Sequence, residues 1–211
     1  MIEGRARRVV AVVDADPMAA LKALNTALLL DAAVGTRFCT AVFGLLDPAG
    51  EGGFTVTLAT GGHPPAYHLS PTQGGGVRVE AARAKGGMLV GAFAEAAFAS
   101  RTLHLAPGHG LLLYTDGLTE ARTADGHMLA DTGLTDFLAQ RQAPVSAGAL
   151  IDDTVALLDI LPDTERDDVA LLALSVPTPD AAPAGIITTA HSAAAPTAPA
   201  DTSVRQENRL P

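Results

Sequence analysis

The chain has 211 residues, of which 48% are hydrophobic and 18% are charged, and its formal net charge is −9. This length suits one domain with a substantial core, and the balance of residue types is that of a globular protein rather than a disordered one. The negative charge argues against nucleic acid as a partner, because the phosphate backbone would repel the protein.

The first half of the chain predicts one helix followed by short strands. Asp16 suits a helix N-cap and Pro17 the first helical position, and apolar residues then recur at helical spacing from residue 18 to residue 28. Residues 37–46 predict a strand that ends at the turn-forming residues 47–50. Alternating patterns and a glycine turn at 74–76 predict further strands at residues 54–59, 66–69, 77–80 and 102–105.

The second half contains the two most apolar strand patterns. Residues 110–115 form an apolar run typical of a central strand that is buried on both faces, and residues 169–175 predict the last strand of the domain. Helical patterns lie between them, at residues 133–141 and 146–161. Short strands joined by tight turns and bracketed by helices predict an α+β fold, an antiparallel β-sandwich flanked by helices.

The composition changes sharply near residue 176, which sets the predicted domain boundary. Residues 1–175 are assigned to one folded domain, whereas residues 176–211 are rich in Pro, Ala and Thr. Such a segment buries too little surface to offset the entropy that it loses on ordering, so a disordered tail is predicted.

Cysteine usage and the apolar runs bear on cellular location. Cys39 is the only cysteine in the sequence, which excludes an internal disulfide and fits a reducing cytosol. Its place in an apolar run predicts a buried thiol. No apolar run approaches the roughly 18 residues that cross a bilayer, and the first residues lack the apolar stretch of a secretory signal. We therefore expect a cytoplasmic protein with no membrane partner.

Aspartates stand at the ends of the two most apolar strand patterns. Asp116 follows the run at 110–115, and Asp167 and Asp168 precede the run at 169–175. If these strands are antiparallel neighbours, the carboxylates meet at one edge of the sheet, where they repel one another unless a cation lies between them. Oxygen ligands of this kind favour Mg²⁺ or Mn²⁺. The alternative is that each aspartate is an ordinary turn or strand-boundary residue.

The string GGHPP at residues 61–65 is the third unusual feature. Its glycines permit backbone geometry that other residues avoid, and its prolines make the exit rigid. His63 is therefore a candidate catalytic residue that could bind phosphate, orient water or transfer a proton, with an ordinary loop residue as the alternative. The sequence contains no phosphate-binding P-loop, no Gly-x-Ser-x-Gly elbow and no Cys-x-x-Cys pair.

Several segments with distinctive motifs follow one another along the chain. The most specific are TDGLTEA at residues 115–121 and RDDVALL at residues 166–172. Shorter ones are LKALN at 21–25, residues 38–43, GHPP at 62–65, GGMLVG at 86–91 and LAPGHG at 105–110. In this order and spacing they resemble the motifs of the PPM-type serine/threonine phosphatases in their sporulation-protein-E-like branch, where the position of His109 is commonly acidic. The resemblance covers about residues 8–175.

The resemblance implies a β-sandwich with two metal ions, Mn²⁺ or Mg²⁺, at one edge of its sheets. In that family a metal-bound water hydrolyses phosphoserine or phosphothreonine without a covalent intermediate. Carried over by position, Asp116 and Asp167 are metal ligands, Gly117 allows close backbone approach at the metal site, and Asp168 is a secondary candidate ligand. The implied partner is a phosphorylated anti-sigma-factor antagonist, a small STAS-like protein of a sigma-factor circuit.

The sequence departs from the family on its N-terminal side. The family's first metal motif, Gly-Asp-x-x-Asp, and its Gly-Asp-x-x-Gly-(Lys/His)-Gly segment are both absent, so we expect an N-terminally incomplete domain. Asp14 and Asp16 precede the first helix, where capping is a sufficient role. Two hypotheses follow: a phosphatase that is truncated or completed by another chain, and a catalytically inactive pseudophosphatase that binds a STAS-like phosphoprotein.

Overall fold

The computed structural model describes residues 16–31, 37–162, 167–179 and 187–193. The helices within these residues are α1 (Pro17–Leu30), α2 (Gly117–Glu120), α3 (Ala130–Ala139) and α4 (Ala147–Ile160). The strands are β1 (Ala41–Pro48), β2 (Phe54–Gly61), β3 (Ala66–Pro71), β4 (Val77–Ala82), β5 (Ala99–Leu105), β6 (Gly110–Tyr114), β7 (Val169–Ser175) and β8 (Ile187–Ala193). None of these helices is long and apolar enough to span a membrane.

The strands form two antiparallel sheets that face each other. One sheet has the order β1-β2-β5 and the other the order β4-β3-β6-β7-β8. A cluster of buried apolar side chains joins Val56 and Leu58 of the first sheet to Leu111 and Leu174 of the second. Because the inner faces of both sheets share one cluster, the arrangement is a β-sandwich. The predicted α+β sandwich is confirmed.

Helices cover the outer faces of the sandwich. Leu21 of α1 packs against Ala59 of β2, on the three-stranded sheet. On the five-stranded sheet, Leu134 of α3 and Leu150 of α4 belong to the same buried cluster as Tyr114 of β6. Successive side chains of a strand point to opposite faces, so β6 is buried both between the sheets and under the helices, as its unbroken apolar run predicts.

Helix α1 begins at the predicted cap and is tied to a distant loop. Asp16 accepts a hydrogen bond from the Met18 amide at 2.9 Å, which satisfies one of the free N–H groups of the first turn. Asn25, which is 4% exposed, donates to the Phe93 carbonyl at 3.0 Å and accepts from the Gly91 amide at 2.7 Å. This side chain therefore fixes the loop between β4 and β5 against the helix.

The start of β1 differs from its prediction. The strand begins at Ala41 rather than at residue 37, and it continues through Pro48, which an edge strand tolerates because the proline has no N–H to donate to a neighbour. Cys39 therefore precedes the strand, where its backbone pairs with Val90 and its side chain is exposed. The predicted burial of Cys39 is wrong for this reason.

The predicted tail also differs from the structure in two places. Val176 is 1% exposed and belongs to the cluster between the sheets, so the core extends past residue 175. The seven residues of β8 pair with β7 along its whole length, from Val169↔Ala193 to Ser175↔Ile187. Ile187, Thr188 and Thr189 are β-branched and suit a strand, which the average composition of the segment concealed. Disorder in the rest of residues 176–211 stays a prediction.

Candidate functional site

The ends of β6 and β7 bring the predicted aspartates to one edge of the five-stranded sheet. The two strands are antiparallel neighbours, and Tyr114 at the end of β6 pairs with Leu171 near the start of β7. One residue further on, the Thr115 amide donates to the Ala170 carbonyl at 3.1 Å. Asp116 therefore lies at the same edge as Asp167 and Asp168, as the strand pattern predicts.

Thr115 joins the two ends through its side chain as well as its backbone. Its hydroxyl donates to the Asp168 carbonyl at 3.0 Å and accepts from the Ala170 amide at 2.9 Å. Sequence reasoning gave Thr115 no role of its own, although it stands first in the TDGLTEA string. The double hydrogen bond fixes the segment that carries Asp116 against the segment that carries Asp168.

The two segments pack tightly against each other at Gly117. A Cβ atom at this position would lie 2.7 Å from the Asp168 carbonyl oxygen and 2.9 Å from the Asp167 carbonyl oxygen. Real Cβ atoms do not approach backbone oxygens so closely, so only glycine fits without a shift of the backbone. Gly117 begins the short helix α2, in which the Glu120 amide donates to the Asp116 carbonyl at 2.9 Å.

We call Asp116, Gly117, Asp167 and Asp168 the aspartate edge. The three aspartate side chains are exposed, and the Asp167 carboxylate accepts a hydrogen bond from the Asp168 amide at 2.8 Å. Their carboxylate oxygens are donors that Mn²⁺ and Mg²⁺ prefer, so the chemistry fits such a cation. Among the described residues, however, there is no group of three or more His, Cys, Asp or Glu side chains that could hold a metal ion. The ligand set of the described residues is therefore incomplete, and the metal-binding roles of the aspartate edge stay predictions.

The loop with His63 lies at the same edge of the sandwich. It connects β2 of one sheet to β3 of the other. Because Tyr67 of β3 pairs with Leu112 of β6, the residues that precede Ala66 lie beside the end of β6. Nδ1 of His63 lies 2.9 Å from the Pro64 carbonyl oxygen. Because a carbonyl oxygen only accepts, Nδ1 donates, and Nε2 of the neutral ring keeps its lone pair. The hydrogen bonds of His63 in the described structure go to Pro64 and Thr60, and none joins it to the aspartate edge.

A cleft of about 170 Å³ opens beside this histidine. Its polar lining residues are Thr60, His63 and Arg83, and we call it the His63 cleft. The GGMLVG segment also borders it, since Gly86 lines the cleft and a Cβ atom on Gly87 would lie 2.9 Å from the Thr60 carbonyl oxygen. Sequence reasoning did not single out Arg83, because nothing in its local pattern distinguishes it from a surface arginine.

Two further histidines meet at the opposite end of the sheets. Nε2 of His68 lies 2.9 Å from Nδ1 of His109, which precedes β6, whereas Asp116 follows that strand. Burial lowers the pKa of both imidazoles below their ordinary value. The pair is therefore remote from the aspartate edge, and the structure gives it no part in the candidate site.

The match to a known family covers most of the chain. Residues 4–177 match the sequence model of the family described as Stage II sporulation protein E (SpoIIE). The chain belongs to the SpoIIE family. It is thus a PPM-type phosphatase domain, as the motifs of the sequence predict. A comparison with curated protein sequences gives no match.

Solved structures similar to this SpoIIE-family chain are distant in sequence. One is the phosphatase domain of the cell fate determinant SpoIIE from Bacillus subtilis, presoaked with Mn, at 15% identity and a TM-score of 0.46; the alignment covers 77% of this chain and 67% of that chain. A second structure of the same domain gives the same identity and TM-score, and its alignment covers 78% of this chain and 68% of that chain. PppA, a key regulatory component of T6SS in Pseudomonas aeruginosa, has 22% identity and a TM-score of 0.43 over 65% of this chain and 61% of that chain.

Proposed function

We propose that this SpoIIE-family domain is a metal-dependent phosphatase that hydrolyses phosphoserine or phosphothreonine in a partner protein. The observation that supports this proposal most directly is the aspartate edge, where Asp116 and Asp167 stand at adjoining strand ends. Gly117 has no room there for a side chain. A simple strand boundary does not require such close packing of two acidic segments.

Asp116 and Asp167 would hold the divalent cation, with Asp168 as a second acidic neighbour. When bound, Mn²⁺ or Mg²⁺ lowers the pKa of a water ligand and offsets the negative charge that develops on the phosphate oxygens. The hydrogen bonds of Thr115 support this arrangement, because they fix the backbone on both sides of the carboxylates. Carboxylates carried on a fixed backbone lose less entropy when they bind an ion.

His63 is the proposed proton-transfer or water-orienting residue. Its Nδ1 is held by the Pro64 carbonyl, so the ring orientation is fixed and Nε2 remains free to accept a proton. The ring is half-buried in the His63 cleft, where a substrate approaching the same edge of the sandwich would pass. No contact in the described structure joins His63 to the aspartates, so a role in substrate binding is the alternative for this residue.

The proposed substrate is a phosphorylated STAS-like antagonist of an anti-sigma factor. This proposal rests on the resemblance of the TDGLTEA and RDDVALL strings to the sporulation-protein-E-like branch. A cytoplasmic location, which the single cysteine favours, is part of the same proposal. The negative charge of the domain is compatible with a protein partner and disfavours nucleic acid.

A binding module without turnover is the second candidate function. The observation that favours it is the incomplete ligand set, since the described residues hold no group of three side chains suited to a metal ion. Two carboxylates are few for two divalent cations, each of which takes about six oxygen ligands. Such a domain would recognise the phosphoprotein and hold it without hydrolysis.

Hydrolysis of p-nitrophenyl phosphate with and without Mn²⁺ separates the two candidates. We expect Mn²⁺-dependent turnover that is lost in Asp116→Asn and retained in Asp152→Asn, a matched change at an exposed aspartate of α4. Turnover that survives Asp116→Asn would remove the aspartate edge from the mechanism. A folded wild-type protein that binds a phosphorylated STAS-like protein without hydrolysing it would establish the binding module.

A further inference from the structure

A phosphate ester that approaches the aspartate edge meets an unfavourable field. The ester carries close to two negative charges, the three aspartates at this edge are exposed, and the chain has a formal net charge of −9. Recognition of the phosphate therefore needs positive groups among the protein's own side chains, in addition to any metal ion.

Arg83 is the residue with a permanent positive charge that lines the His63 cleft. Arg83 follows Ala82, the last residue of β4. Ala82 pairs with Ala66 at the start of β3, so Arg83 lies at the same end of the sheet as His63. Its side chain is 60% exposed. A planar guanidinium with five N–H donors matches the oxygens of a phosphate better than any other side chain does.

Asp131 at the start of α3 holds this guanidinium in place. Nη2 of Arg83 donates to Oδ2 of Asp131 at 2.7 Å, and this hydrogen bond raises the pKa of the arginine further above its ordinary value. The other carboxylate oxygen of Asp131 accepts from the Tyr114 hydroxyl at 3.3 Å, and its backbone carbonyl accepts from the Tyr67 hydroxyl at 3.2 Å. The two tyrosines are each 2% exposed and their rings stack at 5.7 Å.

This network connects Arg83 to the strand that carries the site. Tyr114 is the last residue of β6 and stands two residues before Asp116. A buried and stacked tyrosine pair has few alternative rotamers, so the position of Asp131 is well determined. The position of Arg83 is therefore set by the same strand end that sets the position of Asp116.

Most of the hydrogen-bonding capacity of Arg83 remains available. Only Nη2 has an acceptor among the described residues, which leaves the other N–H groups of the fork to solvent or to a ligand. An exposed ion pair alone stabilises a protein by little, so stability is a weak reason for this arrangement. A positioned and exposed arginine at the rim of a cleft suits an anionic ligand better.

We propose that Arg83 binds the phosphate oxygens of the substrate and that Asp131 is its positioning residue. The inference rests on the proposed function for the identity of the substrate, a phosphoserine or phosphothreonine side chain. It does not require turnover, because a phosphoprotein-binding domain would use the same contact. Arg83 thus serves recognition under both candidate functions.

Equilibrium binding of inorganic phosphate to the full chain tests the proposal without substrate turnover. Titrations followed by ³¹P NMR in the presence of Mg²⁺ compare the wild type with Arg83→Gln, Arg83→Lys and Asp131→Asn. The matched control is Arg78→Gln, which removes an exposed arginine from β4, the strand that Arg83 follows. We expect the dissociation constant to rise about tenfold in Arg83→Gln and by a smaller factor in Arg83→Lys and Asp131→Asn, with no change in Arg78→Gln.

The outcomes separate this inference from the proposed function. Phosphate binding that depends on Arg83 in a protein without phosphatase activity would support the inference and contradict the catalytic proposal. Phosphatase activity with the same phosphate affinity and KM in Arg83→Gln as in the wild type would overturn the inference alone. A melting temperature that falls in Arg83→Gln while phosphate affinity stays constant would assign Arg83 to stability and would also overturn it.

Discussion

A Cβ atom on Gly117 would lie 2.7 Å from the carbonyl oxygen of Asp168, closer than a side chain and a backbone oxygen can pack. The contact joins the start of α2 to the segment before β7, which are 51 residues apart in sequence, from 117 to 168. Since the backbone fixes the position of a Cβ atom, and its contact is a backbone oxygen, relief requires movement of a whole segment rather than rotation of a side chain. The geometry of the aspartate edge therefore depends on a glycine at this position.

Gly117→Ala is expected to destabilise the domain by about 1–3 kcal/mol, the usual cost of overpacking. It should also reduce any Mn²⁺-dependent turnover, because the two acidic segments must move apart. Gly148→Ala is the matched control, since a Cβ atom there meets its nearest neighbour, Ser146 Oγ, at 3.8 Å. Urea unfolding of both variants measures the difference. Equal stability of the two would show that the Asp167–Asp168 backbone moves without cost.

Asp167→Asn is expected to remove Mn²⁺-dependent activity while the fold is retained. The Asp168 amide donates to Oδ1 of Asp167 at 2.8 Å, and an asparagine oxygen can accept the same hydrogen bond. The change therefore removes the negative charge and keeps the local geometry. Circular dichroism checks the fold, and calorimetric titration with Mn²⁺ measures affinity. Unchanged Mn²⁺ affinity would place the metal ligands elsewhere.

Asp16 is expected to act as a helix cap and not as a metal ligand. Its carboxylate accepts from the Met18 amide at 2.9 Å, which a serine hydroxyl can also do. Asp16→Ala should therefore lower the free energy of unfolding by about 1 kcal/mol, while Asp16→Ser should be close to the wild type in stability and in activity. Loss of activity in a stable Asp16→Ser protein would contradict the capping role and point to metal binding.

The His68–His109 pair is expected to make stability fall at mildly acidic pH. Burial lowers the pKa of both groups, so the unfolded chain, with histidine pKa values near 6.5, binds protons more readily than the folded one. Stability is then fully present above about pH 7 and is lost as the pH falls below 6.5. Full protonation of both rings would also break their hydrogen bond, because neither nitrogen could accept.

Charged groups near the pair modify this effect in both directions. Glu80 raises the pKa of His68, whereas Arg101 and His104 lower it, and His104 also lowers the pKa of His109. Unfolding free energies between pH 5 and pH 8 measure the net result. The slope should be smaller in His109→Asn than in the wild type and unchanged in His127→Asn, a substitution in an exposed turn. Identical slopes in all three proteins would exclude the pair as the cause.

Much of the fold could be predicted because it depends on local patterns. Pro17 at the first helical position, the apolar run of β6 and the glycine turn between β3 and β4 each carry information within a few residues. The exposed position of Cys39 and the strand β8 were missed, because both depend on which neighbouring edge is available for pairing. The side chain of Asn25 was missed for the same kind of reason, since its partners lie 66 and 68 residues away.

The family, the sandwich class and the aspartates that end the two most apolar strands follow from the sequence alone, because motif order and periodicity are properties of short segments. The groups that surround those aspartates depend on how the sheets pack. The hydrogen bond from Arg83 to Asp131 spans 48 residues, and the Thr115 hydroxyl donates across to the Asp168 carbonyl. Neither pairing can be read from the local sequence. Side-chain contacts between distant segments are set by the register and packing of the sheets, which no local pattern encodes.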